Sequence, residues 1–196
     1  MLVVSNDLVS ANTSVLIWII SHRLDFLTPF FLAMTSFGDI YMAGAITIII
    51  FLLLVHKKVS YKIGVVLMSV FFAYATSYLF KMATAISRPP MGIAFADGYS
   101  FPSGHATLAT AFFLTILYVL WPEIKEFRQK VFFSISTIML ILLVAFSRIY
   151  LGVHWASDIL GGILLGLSVS TFCIYVYKKL AIMAQFDWNK IRISEK

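Results

Sequence analysis

Three short stretches of this chain carry side chains able to act on a phosphate. The longest, Ser147 to Asp158, reads Ser-Arg-Ile-Tyr-Leu-Gly-Val-His-Trp-Ala-Ser-Asp and joins two strongly apolar segments. Arg148 offers a planar guanidinium that can grip two oxygens at once. His154 and Asp158 stand four residues apart, so a helix starting here sets both on one face and lets the carboxylate hold the imidazole. An imidazole held in this way beside a guanidinium is a candidate nucleophile for phosphoryl transfer. Taken alone, Asp158 is equally what the positive end of a helix favours.

The second stretch is Phe101-Pro102-Ser103-Gly104-His105, which opens an apolar segment. A helix N-terminus presents free N–H groups and a positive dipole end, which together make an anion site. Ser103 can cap that helix. Gly104 lets the backbone approach an oxyanion with no Cβ in the way. His105 would then lie beside the anion and could carry a proton to a leaving oxygen. The plain alternative is a serine cap with an incidental histidine. The third stretch is Lys81 and, after six intervening residues, Arg88-Pro89-Pro90. It adds a point charge and a second guanidinium, and the proline keeps Arg88 out of helical geometry. By itself Lys81 also fits a lysine snorkelling from a span end.

The elements that must position these groups are membrane helices. Of 196 residues, 61% are hydrophobic and 12% charged, whereas a soluble domain is about half apolar and a quarter charged. At about 20 residues per span the length allows five or six spans, so the expected fold is an all-α polytopic transmembrane bundle. Clear spans are expected at 40–55, 63–80, 106–121, 131–146 and 158–177. Residues 1–38 form an apolar N-terminal part, in which 12–37 is either one broken span or a partly interfacial segment. Residues 39–180 make the core and 181–196 a polar cytoplasmic tail. The N-terminus lacks a basic n-region, so no cleavable signal peptide is expected. The single Cys173 excludes an intrachain disulfide or a Cys-based metal site.

Lysine and arginine placement sets the topology. Lys57, Lys58 and Lys62, then Lys125, Arg128 and Lys130, then Lys178 and Lys179 fall in alternate loops. These loops therefore face the cytoplasm, and 84–104 and 147–157 face outward. Lys81, Arg88 and Arg148 run against that rule, as cations with an anionic client would. Together the three stretches gather three cations, two histidines and one carboxylate on one face. That set suits phosphoryl transfer: cations neutralise the oxygens, one histidine attacks and the other protonates the leaving group. No set of Asp, Glu and His has metal-ligand density, so a metal-independent reaction through phosphohistidine is expected, with no cofactor.

Lys81-(six residues)-Arg88-Pro89, Pro102-Ser103-Gly104-His105 and Ser147-Arg148-(five residues)-His154-(three residues)-Asp158 together resemble the three-part signature of the type 2 phosphatidic acid phosphatase superfamily. The match is complete at every signature position and covers about residues 60–180. It implies a bundle of usually six spans with its site near the outer leaflet. It implies phosphate binding by Lys81, Arg88, Ser103, Gly104 and Arg148, with His154 as nucleophile, Asp158 as its partner and His105 as general acid. Compact members of this size resemble polyprenyl-diphosphate phosphatases, with phosphatidylglycerophosphate or phosphatidic acid phosphatase as the alternative. The expected partners are a membrane lipid substrate and the bilayer, with no nucleic acid; the oligomeric state stays open. A phosphate-binding transporter would need polar residues through the bundle, and a soluble haloperoxidase would lack the spans.

Overall fold

A computed structural model describes residues 6–55 and 62–194 of the chain; Lys57 and Lys58 lie outside the described residues. Among the described residues the protein is all helical, with α1 (Asn6–Ser21), α2 (Thr28–Ser36), α3 (Ile40–Val55), α4 (Ile63–Thr84), α5 (Gly104–Leu120), α6 (Phe127–Tyr150) and α7 (Ala156–Ser194). The polytopic bundle expected from composition is therefore the fold. Helices α4, α5, α6 and α7 are each long and apolar enough to cross a membrane; the bent α1–α2 pair would add a fifth span if taken as one.

Helix α5 is the axis of the bundle. Of its apolar window 61% is buried, against 33% for α4, 28% for α6 and 33% for α7. Its sequence explains this position, because Ala106, Thr107, Ala109, Thr110 and Ala111 are small and fully enclosed. Glycines of α7 meet that small surface. A Cβ built on Gly162 would lie 2.7 Å from the Ser103 carbonyl oxygen, and one on Gly166 would lie 2.6 Å from the Thr107 carbonyl oxygen. Two glycines four apart thus let α7 press its backbone onto α5, the small-residue packing that membrane helices use. Ser69 of α4 donates to the Ala111 carbonyl at 3.1 Å and accepts from Thr115 at 3.0 Å, so α4 is held to α5 by buried polar contacts.

The bundle has two chemically different ends. At one, Lys62 pairs with Glu123 at 3.5 Å, Lys130 lies over Trp121 and Lys178 over Tyr118. At the other stand the C-termini of α4 and α6 and the N-termini of α5 and α7, with the 85–103 and 151–155 connections.

The N-terminal helices pack against that second end. Helix α1 stops where Ser21 Oγ and His22 Nδ1 bond the Trp18 carbonyl, at 2.9 and 2.8 Å, and Pro29 can begin α2 but not continue a helix from α1. The halves meet at 100°. Asn12 of α1 bonds Ser157 at 2.9 Å, and Tyr150 donates to the Leu24 carbonyl at 2.7 Å. Phe31 of α2 stacks on Tyr150 and Phe146. Several boundaries differ from the sequence reading: α4 runs on to Thr84, α6 begins at Phe127, and α3, expected as a clear span at 40–55, is a shorter apolar helix outside the four. Helix α6 continues through Arg148 to Tyr150, so Ser147 and Arg148 are helical and not in the loop. Helix α7 continues past residue 181 as far as Ser194.

If the α5–α7 contact holds the bundle together, Gly166→Leu should cost about 1–3 kcal/mol by overpacking and lower Tm by several degrees in detergent. Gly44→Ala, where a Cβ meets nothing within 4 Å, should leave Tm nearly unchanged. Equal Tm values for the two variants would contradict this packing.

Candidate active site

Asp158 sits in the first turn of α7 and is fully buried. Its Oδ2 takes Trp155 N–H at 2.8 Å, so the carboxylate reaches back to cap its own helix. The same oxygen accepts from Ser100 Oγ and contacts His154 Nδ1 at 3.1 Å. The Asp158 carbonyl accepts Ser103 N–H at 3.0 Å. One residue therefore ties the start of α7 to the start of α5 and to the 85–103 connection.

His154 precedes α7 and is likewise buried. Its Nε2 lies 3.0 Å from Arg88 Nη1. A guanidinium has no acceptor, so Nε2 must accept, which leaves the ring proton on Nδ1 for Asp158. The tautomer is thus set from both sides, and Nε2 carries a lone pair within reach of a cation. Burial, only partly offset by the hydrogen bond to Asp158, pushes the His154 imidazole down to about 3, so the ring is neutral at ordinary pH.

The cations converge on this imidazole from separate elements. Arg88 spans the gap between connections, with Nε on the Gly98 carbonyl at 3.0 Å, Nη1 on the Val153 carbonyl at 2.9 Å and Nη2 on the Asp97 carbonyl at 2.8 Å. Burial pulls its guanidinium below the usual value, opposed by the charges of Asp158 and Asp97. Lys81, in the last turn of α4, donates to the carbonyls of Tyr99 and Ser100. Arg148, 3% exposed, donates to Thr35 Oγ1 at 2.6 Å and lies within electrostatic reach of Arg88 and both site histidines. Ser103 caps α5 as expected, its Oγ accepting Ala106 N–H at 3.4 Å. Gly104 and His105 follow in the first turn.

His105 faces the turn between α2 and α3. Its Nε2 lies 2.9 Å from Asp39 Oδ1, and that hydrogen bond holds the Asp39 carboxyl below the usual carboxylate range. A cavity of about 290 Å³ opens here, walled by Tyr74, Tyr78, Ile40 and Leu108, with Lys81 and His105 on its lining.

A model of the PAP2 superfamily matches residues 62–182, more than half of the chain. The chain belongs to the PAP2 superfamily. It is 40% identical over 74 residues to phosphatidylglycerophosphatase B of Bacillus subtilis, 36% of each chain. It is 31% identical over 162 residues to lipid A 4'-phosphatase of Porphyromonas gingivalis, 76% of this chain and 64% of that one. Undecaprenyl-diphosphatase of Sulfolobus acidocaldarius is 33% identical over 78 residues, 40% of this chain and 34% of that one. The matched stretches thus span from about a third to just under two thirds of these relatives' own lengths. The crystal structure of a PAP2 type phosphatidylglycerolphosphate phosphatase from Bacillus subtilis shares the fold, with a TM-score of 0.84 at 24% identity over 89% of this chain and 88% of that one.

All eight candidate residues of this PAP2 chain stand at one end of the bundle, at the ends of α4 to α7 or in the connections there. Direct bonds join Arg88, His154, Asp158 and Ser103. Lys81 meets them through the Ser100 backbone, while His105 and Arg148 turn toward the α2–α3 segment. Sequence reasoning missed Ser100, a buried hydroxyl on both members of the His–Asp pair. It also missed Thr35 and gave Asp39 no role. Asp39, an acid just before a span, carried the one available signal.

His154 should remain the neutral Nδ1–H tautomer across about pH 5–8, where a free imidazole titrates; side-chain ¹⁵N NMR reads this directly. A His154 resonance titrating near ~6.5 would contradict the arrangement. The folded-state value lies below the unfolded one. Burial of His154 therefore costs no stability above ~6.5 and weakens the fold progressively as pH falls from there toward about 3.

Proposed function

We propose that this protein is a membrane lipid phosphatase that moves a terminal phosphoryl group from a lipid phosphate or diphosphate to His154 and then to water. The observation that carries this reading is the His154 Nε2 lone pair, 3.0 Å from Arg88 Nη1. A phosphorus approaching that lone pair brings its oxygens onto the guanidinium. Lys81, Arg88, Arg148, Ser103 and the N–H of Gly104 hold the oxygens and neutralise charge as it spreads over them. His154 Nε2 forms the N–P bond while the bond to the leaving oxygen breaks, and His105 gives that oxygen a proton. Asp158 keeps the Nδ1–H and stabilises the positive phosphohistidine. His105 then takes a proton from water, the water oxygen attacks phosphorus, and the N–P bond breaks to release phosphate.

Polyprenyl diphosphate is the proposed substrate, supported by the name of the Sulfolobus relative and by the apolar Tyr74, Tyr78 and Leu108 walls beside Lys81. Phosphatidylglycerophosphate is the second reading, favoured by the 40% identical stretch shared with phosphatidylglycerophosphatase B. The site faces the extracytoplasmic side in this proposal, because Lys62, Lys130 and Lys178 mark the opposite end and such residues favour the cytoplasm.

The test is phosphate release by purified protein from polyprenyl diphosphate, phosphatidylglycerophosphate and phosphatidate. Release is expected with the diphosphate foremost, absent in His154→Ala and unaffected by chelator. Asp158→Asn should lower turnover about 100-fold or more with KM little changed. Passage of phosphate across liposomes without hydrolysis would favour a transporter, and loss of activity with chelator would overturn the metal-free mechanism.

A further inference from the structure

The turn that connects the N-terminal helices to the bundle is built against one edge of His105. Gly38 packs so closely that a Cβ there would lie 2.8 Å from His105 Cβ and 3.1 Å from His105 Cδ2. Asp39 continues along the same edge, with Oδ1 2.9 Å from Nε2. The Cδ2–Nε2 edge is therefore covered by Gly38 and Asp39, and the Nδ1 edge faces away from the turn. The charges around the ring come from five elements. Arg148 of α6 and Arg88 of the 85–103 connection act on it as cations, and Lys81 of α4 shares its cavity. Asp158 of α7 is bonded to His154. Asp39 is the carboxylate bonded to His105 itself.

We propose that Asp39 is the positioning residue for His105, bonding Nε2–H so that Nδ1 presents the proton to the leaving oxygen, and supplying the negative charge that lets a ring among three cations carry that proton. The inference rests on the phosphatase reading above. In the first half-reaction the proton leaves His105 Nδ1 for the departing oxygen as the P–O bond breaks, while Nε2–H stays on Asp39. In the second half the same Nδ1 accepts a proton from the attacking water. Asp39 gains and loses no proton in the cycle. Like the aspartate that holds a second imidazole at His154, it acts on the reaction only through the ring it orients.

This role has a signature that a merely structural turn residue lacks. A general acid matters in proportion to how poorly the leaving group departs by itself. Asp39→Asn keeps the size and an acceptor oxygen but removes the charge. It should lower kcat for an alkyl lipid phosphate about 10- to 100-fold while changing kcat for a nitrophenyl phosphate less than about threefold. In a His105→Ala background, Asp39→Asn should cause no further loss on the alkyl substrate, because the residue it serves is gone. Gly38→Ala, which pushes on His105 from the same turn, should reproduce the leaving-group pattern and check it independently. Equal loss on both leaving groups, or a full additional loss in the His105→Ala background, would overturn the assignment. Failure of the unsubstituted protein to release phosphate from any of these compounds would instead overturn the phosphatase reading itself.

Discussion

The arrangement depends on the buried Asp158 carboxylate and the three bonds gathered on its Oδ2. Oδ2 meets the Trp155 N–H, the Ser100 hydroxyl and the His154 imidazole, and the backbone carbonyl meets the Ser103 N–H. A buried anion without such partners would be costly. Here its demand for donors draws the starts of two helices and a long connection to one point. The same demand sets the tautomer of His154, because the ring proton goes to Nδ1 for Asp158 and leaves Nε2 as the acceptor facing Arg88. Helix packing and the tautomer of His154 are thus set by one group of hydrogen bonds.

Three cations stand at this end of the apolar bundle, and each is held by protein oxygen. Arg88 sits among backbone carbonyls of both connections, Lys81 among those of Tyr99 and Ser100, and Arg148 on Thr35. These bonds keep the charges solvated by protein while the helices beneath them are packed through small residues. They also hold the three side chains in fixed positions at this end of the bundle.

The N-terminal helices are part of the site's framework. Asn12 takes the Ser157 N–H at the start of α7, Thr35 holds Arg148, and Gly38 and Asp39 close on His105. Neither Thr35 nor Asp39 lies within the stretch matched by the family model, 62–182. A part of the chain without motif residues thus supplies partners to two of the groups that carry the motifs.

Composition and periodic apolar runs were enough to determine a helical membrane bundle, because a bilayer permits few other structures for such a chain. The types and spacing of Lys81, Arg88, Ser103, Gly104, His105, Arg148, His154 and Asp158 were enough to pick out a candidate set, and the helix ends and connections that carry them stand at one end of the bundle. Helix ends were less legible. Ser147 and Arg148 look like loop residues beside Gly152, yet α6 runs on to Tyr150 since packing against α2 supports its last turn. Only the tertiary structure decided that Ser100 bridges the His–Asp pair, that Arg88 accounts for the Nε2 lone pair, and that Asp39 faces His105 across 66 positions of sequence. The reason is physical: local pattern encodes which face of a helix is apolar, while a hydrogen bond between distant segments depends on where packing brings their ends.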